Sequence, residues 1–197
     1  MTKEEIRLRL AGAAGKPPVR PGDDHPRTMP KPATLKPAGV LVPLISRPEG
    51  LTVLLTQRTA HLQKHAGQIS FPGGGREPGD PDLIFTALRE TEEEIGLAPG
   101  HVEVLGQLAM YETSTAYGVT PTVGWVEPPF TLRIDPFEVA EAFEVPLAFI
   151  LDPANHTTDS RERDGVRRHF YVLPYEGRYI WGATAGMLVN LAEVLRA

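Results

Sequence analysis

The run Arg89-Glu90-Thr91-Glu92-Glu93-Glu94-Ile95-Gly96-Leu97 gathers acidic side chains at spacings that could do chemistry. On a helix turning about 100° per residue, Glu90, Glu93 and Glu94 fall on one arc at i, i+3 and i+4, while Glu92 projects from the other flank. Ile84, Ala87, Leu88, Thr91 and Ile95 form the adjoining stripe, which must face a core. Like charges gathered near a helix C-terminus are locally unfavourable, by roughly 0.3–1 kcal/mol for each acidic group set against the macrodipole. Arg89, four residues before Glu93, offsets part of this cost. A hard, oxygen-seeking divalent cation, Mg2+ or Mn2+, would offset the rest, and such an ion can polarise a phosphoryl group and activate water. A solvated acidic face is the plainer use of a glutamate run, so the upstream residues decide between the two.

Upstream stands Phe71-Pro72-Gly73-Gly74-Gly75, where backbone N–H and C=O groups can approach a metal and a diphosphate with no Cβ in the way. Around it Arg58, His61, Lys64, His65 and Arg76 bring positive charge, so one wall of a site could be cationic and the other metal-loaded. Arg58 and Lys64 are the candidates for phosphate contacts, with Arg76, Gly73 and Gly74 completing a substrate-binding set. The alternative for each cation is a surface charge or a salt bridge. His61 and His65 have helical i, i+4 spacing, but no third ligand lies nearby in sequence and zinc is not expected. Glu112, Glu138, Glu141 and Glu144 are each candidates for a further ligand or general base from a loop. The aromatics Phe137, Phe143, Phe149, Trp125 and Trp181 are expected in the core.

The segment from Gly74 to Leu97 resembles the Nudix box, G-x5-E-x7-R-E-U-x-E-E-x-G-U with U aliphatic. It matches at Arg89, Glu90, Glu93, Glu94, Gly96 and Leu97. Asp80 stands where the pattern has Glu, eight residues instead of seven separate it from Arg89, and Thr91 replaces an aliphatic residue. An insertion before the helix would leave the glutamates in place, so Asp80 is expected to matter less than they do. The resemblance implies a pyrophosphohydrolase with Arg89, Glu90, Glu93 and Glu94 catalytic. It also implies Mg2+ or Mn2+ held by Glu90, Glu93 and Glu94 with the backbone of Gly74. A longer motif, Leu54-Leu55-Thr56-Gln57-Arg58 followed by Gly67 and Phe71-Pro72-Gly73-Gly74, resembles the signature L-L-T-x-R-(S/A)-x3-R-x3-G-x3-F-P-G-G of the coenzyme A pyrophosphatase branch. Thr59 and Gln63 depart from it, and Gln63 lacks the charge that the branch's arginine supplies. The implied substrate is coenzyme A, with 3′,5′-ADP and 4′-phosphopantetheine as products. ADP-ribose, NADH or another dinucleotide is the alternative, and a non-catalytic nucleotide-sensing module on the same fold is the alternative of another class.

Elements able to position these residues can be read along the chain. Residues 82–95 form a helix that stops at Gly96, a natural left-handed cap. Residues 38–46 and 51–58 are apolar runs joined by Arg47-Pro48-Glu49-Gly50, a strand–turn–strand pattern. Further strands are expected at 102–111, 119–126 and 169–173. A closing helix at 184–195 carries Met187, Leu188, Leu191 and Leu195 on one side. Thr2 and Glu5 have capping-box spacing, with Ile6, Leu8 and Leu10 as the apolar residues of a short first helix. Pro17, Pro18, Pro21, Pro26, Pro30, Pro32 and Pro37 mark residues 16–37 as an extended surface linker. The pattern divides the chain into an N-terminal helix with a Pro-rich extension, 1–37, and a domain at 38–197. The expected fold is α/β, and with the resemblance a Nudix-type α/β/α sandwich with a mixed central sheet.

Composition sets the outer bounds. A chain of 197 residues, 41% hydrophobic and 23% charged, can bury one substantial core. A net charge of −5 gives no footprint for duplex nucleic acid, and no apolar run approaches a membrane span. With no cysteine there is neither disulfide nor thiolate chemistry. A cytoplasmic enzyme acting on a small-molecule substrate fits these bounds, and a homodimer is compatible with them.

Overall fold

The computed structural model describes residues 1–23, 34–62, 65–163 and 165–197. Lys64 and Gln63, and the middle of the Pro-rich segment, lie outside the described residues. In chain order the elements are α1 (Lys3–Ala13), β1 (Lys36–Arg47), β2 (Gly50–Arg58), β3 (Ile69–Ser70), β4 (Gly73–Gly75), α2 (Leu83–Ile95), β5 (Val102–Gln107) and β6 (Tyr111–Glu112). They continue with β7 (Tyr117–Val126), β8 (Val139–Pro146), α3 (Leu147–Leu151), β9 (Thr157–Arg163), β10 (Val166–Tyr175), β11 (Arg178–Trp181) and α4 (Gly182–Arg196).

Alternation along the central strands builds the layers. Leu41 and Ile45 of β1 and Leu54 of β2 point to one face, where they pack on Ala87 and Ile95 of α2. Val42, Leu44, Val53 and Leu55 point to the other, where they join Ile6 and Leu10 of α1, Leu147 and Ile150 of α3, and the apolar side chains of α4. Strands buried on both faces read as continuous apolar runs, which is why β1 and β2 are legible in the sequence. The sheet is mixed: β1 runs parallel to β7, and every other pairing in its order β3-β2-β1-β7-β5 is antiparallel. A second, three-stranded antiparallel sheet has the order β11-β10-β9. The α/β/α sandwich with a mixed central sheet expected above is the observed architecture.

One feature of the hairpin positions the site. β1 and β2 pair only from Leu44 to Arg47 against Gly50 to Val53, and beyond that they separate. The freed edge of β1 is taken by β4 at Ala38 to Val40, and the freed edge of β2 by β3 at Thr56 and Gln57. The glycine loop is therefore inserted into the sheet between two strands, with its backbone hydrogen bonds satisfied there.

Several expectations are corrected. Leu8 is 64% exposed while Ile6 and Leu10 are buried, as i, i+4 spacing requires; the capping box of Thr2 and Glu5 is formed. Pro37 lies inside β1, opposite Gly118, instead of ending the linker. The linker's described part is tied down: Arg20 exchanges two hydrogen bonds with the Asn190 amide, and Asp23 accepts from the Tyr111 hydroxyl and the Ser114 N–H. The strand expected at 102–111 is split into β5 and β6, and β8, β9 and β11 were not anticipated. α4 is buried well beyond one side, at Ala185, Gly186, Val189 and Asn190 as well as its leucines. Phe137, expected in the core, is 64% exposed. Among the described residues no helix is long and apolar enough to cross a membrane.

Candidate active site

α2 is bounded by local chemistry. The Asp82 carboxylate accepts from the Phe85 N–H at 2.8 Å, and Gly96, at φ 69°, donates its N–H to the Glu92 carbonyl at 2.9 Å. Thr91, in a core position, satisfies its hydroxyl on the Ala87 carbonyl at 2.6 Å. The helix lies hard against β1 because Gly39 has no side chain: a Cβ there would stand 2.3 Å from the Leu83 carbonyl oxygen.

The last two turns of α2 deliver Glu90 and Glu94 to the glycine loop. The Gly73 N–H donates to Glu94 Oε2 at 3.1 Å. Glu90 lies over Gly74 so closely that a Cβ on Gly74 would be 2.5 Å from the Glu90 carboxyl carbon. Arg58, at the end of β2, reaches Glu94 at 3.5 Å and Glu138 at 3.7 Å. Glu93 is exposed and pairs with Arg89 at 3.0 Å, and Glu92 is exposed on the far flank. The trio expected from helical spacing thus becomes a pair at the loop, Glu90 and Glu94, with Glu138 joining from another segment.

Glu138 was one of four loop candidates that the sequence could not rank. The structure separates three of them: Glu141 pairs with Arg178 and Glu144 with Arg47 and Thr52, whereas Glu138 comes to Arg58; Glu112 lies in β6. Backbone bonds carry it there. The Arg133 and Asp135 N–H groups donate to the Ile95 and Glu94 carbonyls at 2.8 and 2.9 Å, which pairs helix-end carbonyls and draws the following turn over the site.

Asp80, expected to matter less, is buried and holds Arg89. Its two oxygens accept from Arg89 Nε and Nη2, each at 3.1 Å, and also from the Thr86 hydroxyl and the Glu77 N–H. Arg89 in turn contacts Glu90 at 2.9 Å. Arg76, expected on substrate, has its guanidinium engaged by the Asp80 and Pro81 carbonyls and so shapes the loop. His65 meets Gln68, and His61 lies against Phe137.

Burial pushes the Glu94 carboxyl up to about 8, against the opposing pull of the Gly73 N–H and Arg58, and the negative charges of Glu138 and Glu90 push it further. Glu90 is raised for the same first reason, burial, with Arg89 opposing. At 3.5 Å the Arg58 contact is too long to outweigh desolvation. Among the described residues no three acidic or histidine side chains already stand as a ligand set, each glutamate instead facing a guanidinium or an N–H. The donors nonetheless fit a hard divalent ion: carboxylate oxygens beside a glycine cradle, with the carboxyls of Glu90 and Glu94 destabilised as anions chiefly by burial.

Residues 35–171 match the model of the NUDIX domain. The chain is 45% identical over 161 residues to the "Uncharacterized Nudix hydrolase NudL" of Yersinia pestis (strain Pestoides F), covering 82% of this chain and 80% of that protein. The protein of the same name from Yersinia pseudotuberculosis serotype O:1b gives the same values. Among solved structures, a Nudix hydrolase from M. smegmatis, RenU, is similar with a TM-score of 0.51 at 19% identity, over 68% of this chain and 81% of that one, a likeness of fold.

Proposed function

The chain belongs to the Nudix hydrolase family and is a pyrophosphohydrolase, and from that premise we propose that its substrate is coenzyme A, cut at the diphosphate to 3′,5′-ADP and 4′-phosphopantetheine. The observation that carries this reading is where the coenzyme A-branch motif sits. Its two halves, ending in Arg58 and in Gly73-Gly74, converge on one carboxylate of the acidic helix, Glu94. A motif far from the chemistry would say little about substrate; this one forms the wall opposite Glu90 and Glu94.

Glu90 and Glu94 with the Gly74 backbone, joined by Glu93 once it leaves Arg89, would hold Mg2+ or Mn2+, which when bound would neutralise charge on the diphosphate and polarise phosphorus. The protein's own groups do the rest. Arg89, fixed by Asp80, orients Glu90. Arg58 offers a planar fork to phosphate oxygens once the carboxylates have another counter-charge. Glu138, which shares Arg58 with Glu94, would accept the proton of the attacking water. Water adds to one phosphorus, the anhydride P–O bond breaks, and the other phosphate leaves as a monoester.

The test is incubation of the purified chain with coenzyme A and with ADP-ribose, each with Mg2+, with Mn2+ and with chelator, followed by mass identification of products. Metal-dependent appearance of 3′,5′-ADP and 4′-phosphopantetheine is expected. Cleavage of ADP-ribose with coenzyme A left intact would overturn the substrate assignment.

A further inference from the structure

Phe137 is an apolar ring held out in water by a backbone that cannot turn it in. Its N–H donates to the Asp135 carboxylate at 2.9 Å, its carbonyl accepts from the Thr59 hydroxyl at 2.8 Å, and the carbonyl of the next residue accepts from the Thr59 N–H at 3.0 Å. Thr59 is itself buried, so the anchor is firm. The ring is nevertheless 64% exposed. One side of it meets the exposed imidazole of His61, with centroids 4.9 Å apart and planes inclined at 58°, a favourable tilted contact that fixes the ring's orientation while leaving a face open. Phe85 and Tyr179 are also exposed, but Phe85 lies in the first turn of α2, remote from Glu94 in the last, and Tyr179 is committed through its hydroxyl to Asp159.

The location gives the ring its meaning. Residue 138 follows it directly and reaches Arg58, and Arg58 reaches Glu94. A substrate with its diphosphate at Glu90 and Glu94 would have its attached groups passing over this rim. We propose that Phe137, oriented by His61, is the stacking platform for the planar base of the nucleotide substrate, and so a specificity-determining residue. The proposal rests on the reading of the site as one for a nucleotide diphosphate and adds where the base is recognised. Stacking of this kind accepts any base through its π face and favours the larger purines, while a diphosphate without a base gains nothing from it.

The test is calorimetric binding of adenosine 3′,5′-bisphosphate and of inorganic pyrophosphate to the full chain, in Mg2+, for the native protein, Phe137→Leu, Phe137→Tyr and His61→Ala. Phe137→Leu is expected to weaken nucleotide binding about tenfold with pyrophosphate binding unchanged. Phe137→Tyr should bind as the native chain does, and His61→Ala should fall between. Equal nucleotide affinity in Phe137→Leu, parallel weakening of both ligands, or no nucleotide binding by the native chain would each overturn the platform. Because binding is read without turnover, failure to cleave coenzyme A with Phe137-dependent nucleotide binding intact would remove the substrate assignment alone. Native-like KM for coenzyme A in Phe137→Leu would remove the platform alone.

Discussion

Both carboxylate oxygens of Asp80 are held by one guanidinium, that of Arg89, through Nε and Nη2 at 3.1 Å each. Asp80 comes from a loop one residue longer than the family pattern and has a side chain one carbon shorter than the pattern's Glu. The pair forms all the same because Arg76 clasps the loop at the Asp80 and Pro81 carbonyls and Thr86 supports the carboxylate from below. With Nη2 directed at Asp80, Arg89 is left with a fixed reach to Glu90 and Glu93. Asp80 therefore acts on the site at one remove.

Asp80→Asn keeps the shape and removes the charge, and places an amide N–H₂ where a guanidinium points. It is expected to lower kcat by about 10- to 100-fold, as loss of a supporting partner typically does, with KM little changed. The same pair makes a pH prediction. Arg89 first, then the Glu77 N–H, hold the Asp80 carboxyl well below the usual carboxylate range. A group depressed in the fold contributes stability that is present above its unfolded value near 3.8 and is lost as pH falls through its folded value. Urea unfolding should then show the native chain more stable than Asp80→Asn at pH 7, with the gap narrowing at pH 3. A gap independent of pH would remove the pair's electrostatic role.

Gly39 and Gly74 predict opposite kinds of damage from the same substitution. A methyl group at Gly39 meets the Leu83 carbonyl at 2.3 Å, which is helix backbone, so Gly39→Ala must move α2 off β1. The expected cost is about 1–3 kcal/mol or more of stability, read as a lower urea midpoint. At Gly74 the obstacle is the carboxyl end of Glu90, which can swing away. Gly74→Ala should therefore unfold like the native chain and lose on the order of a hundredfold in kcat/KM through a displaced Glu90. Near-native activity in Gly74→Ala would mean that Glu90 does not work from its observed position.

Divalent ions give a reading of the site independent of substrate. If Glu90 and Glu94 take up Mg2+ or Mn2+, the ion binds the folded chain alone and stabilises it, by about 2.7 kcal/mol at a concentration of 100 Kd. Thermal unfolding of chelator-treated protein should shift upward on titration with either ion. In Glu90→Gln the shift should vanish together with turnover while the ion-free midpoint stays near native. A shift that persists in Glu90→Gln at the same ion concentrations would place the ion elsewhere.

What the sequence disclosed and what it hid follow from how local each cause is. α2 was legible because Asp82, the apolar stripe and Gly96 all act within one turn of where they stand. The β1–β2 hairpin was legible because both faces are buried. β8 was not: Glu141 and Glu144 break its apolar pattern, and the cations that make them tolerable, Arg178 and Arg47, come from other strands. Helical spacing alone grouped Glu93 with Glu90 and Glu94, but exposure and the i, i+4 pull of Arg89 turn it outward. Glu138 could be named but not chosen, since backbone bonds from Arg133 and Asp135 to the end of α2 bring it in, and no residue type signals such bonds. Thr59, which departs from the motif's serine by one methyl group, uses its hydroxyl to hold the same loop.

Arg58 offers the sharpest separation of function from stability. Breaking a buried ion pair ordinarily costs about 3–5 kcal/mol, because a charge is stranded without a partner. Here burial has already pushed Glu94 up to about 8, so on losing Arg58 it can stay neutral by keeping its proton and no charge is stranded at pH 7. Arg58→Gln should accordingly unfold at nearly the native urea midpoint. Its kcat/KM should nonetheless fall by about 10- to 100-fold, the worth of one hydrogen-bonded charge on phosphate. Arg58→Lys should recover only part of that loss, since a point charge cannot serve two oxygens in one plane as the guanidinium fork does. A large drop in stability with kcat/KM preserved would make Arg58 a structural tie between Glu94 and Glu138 and leave the phosphate to other groups.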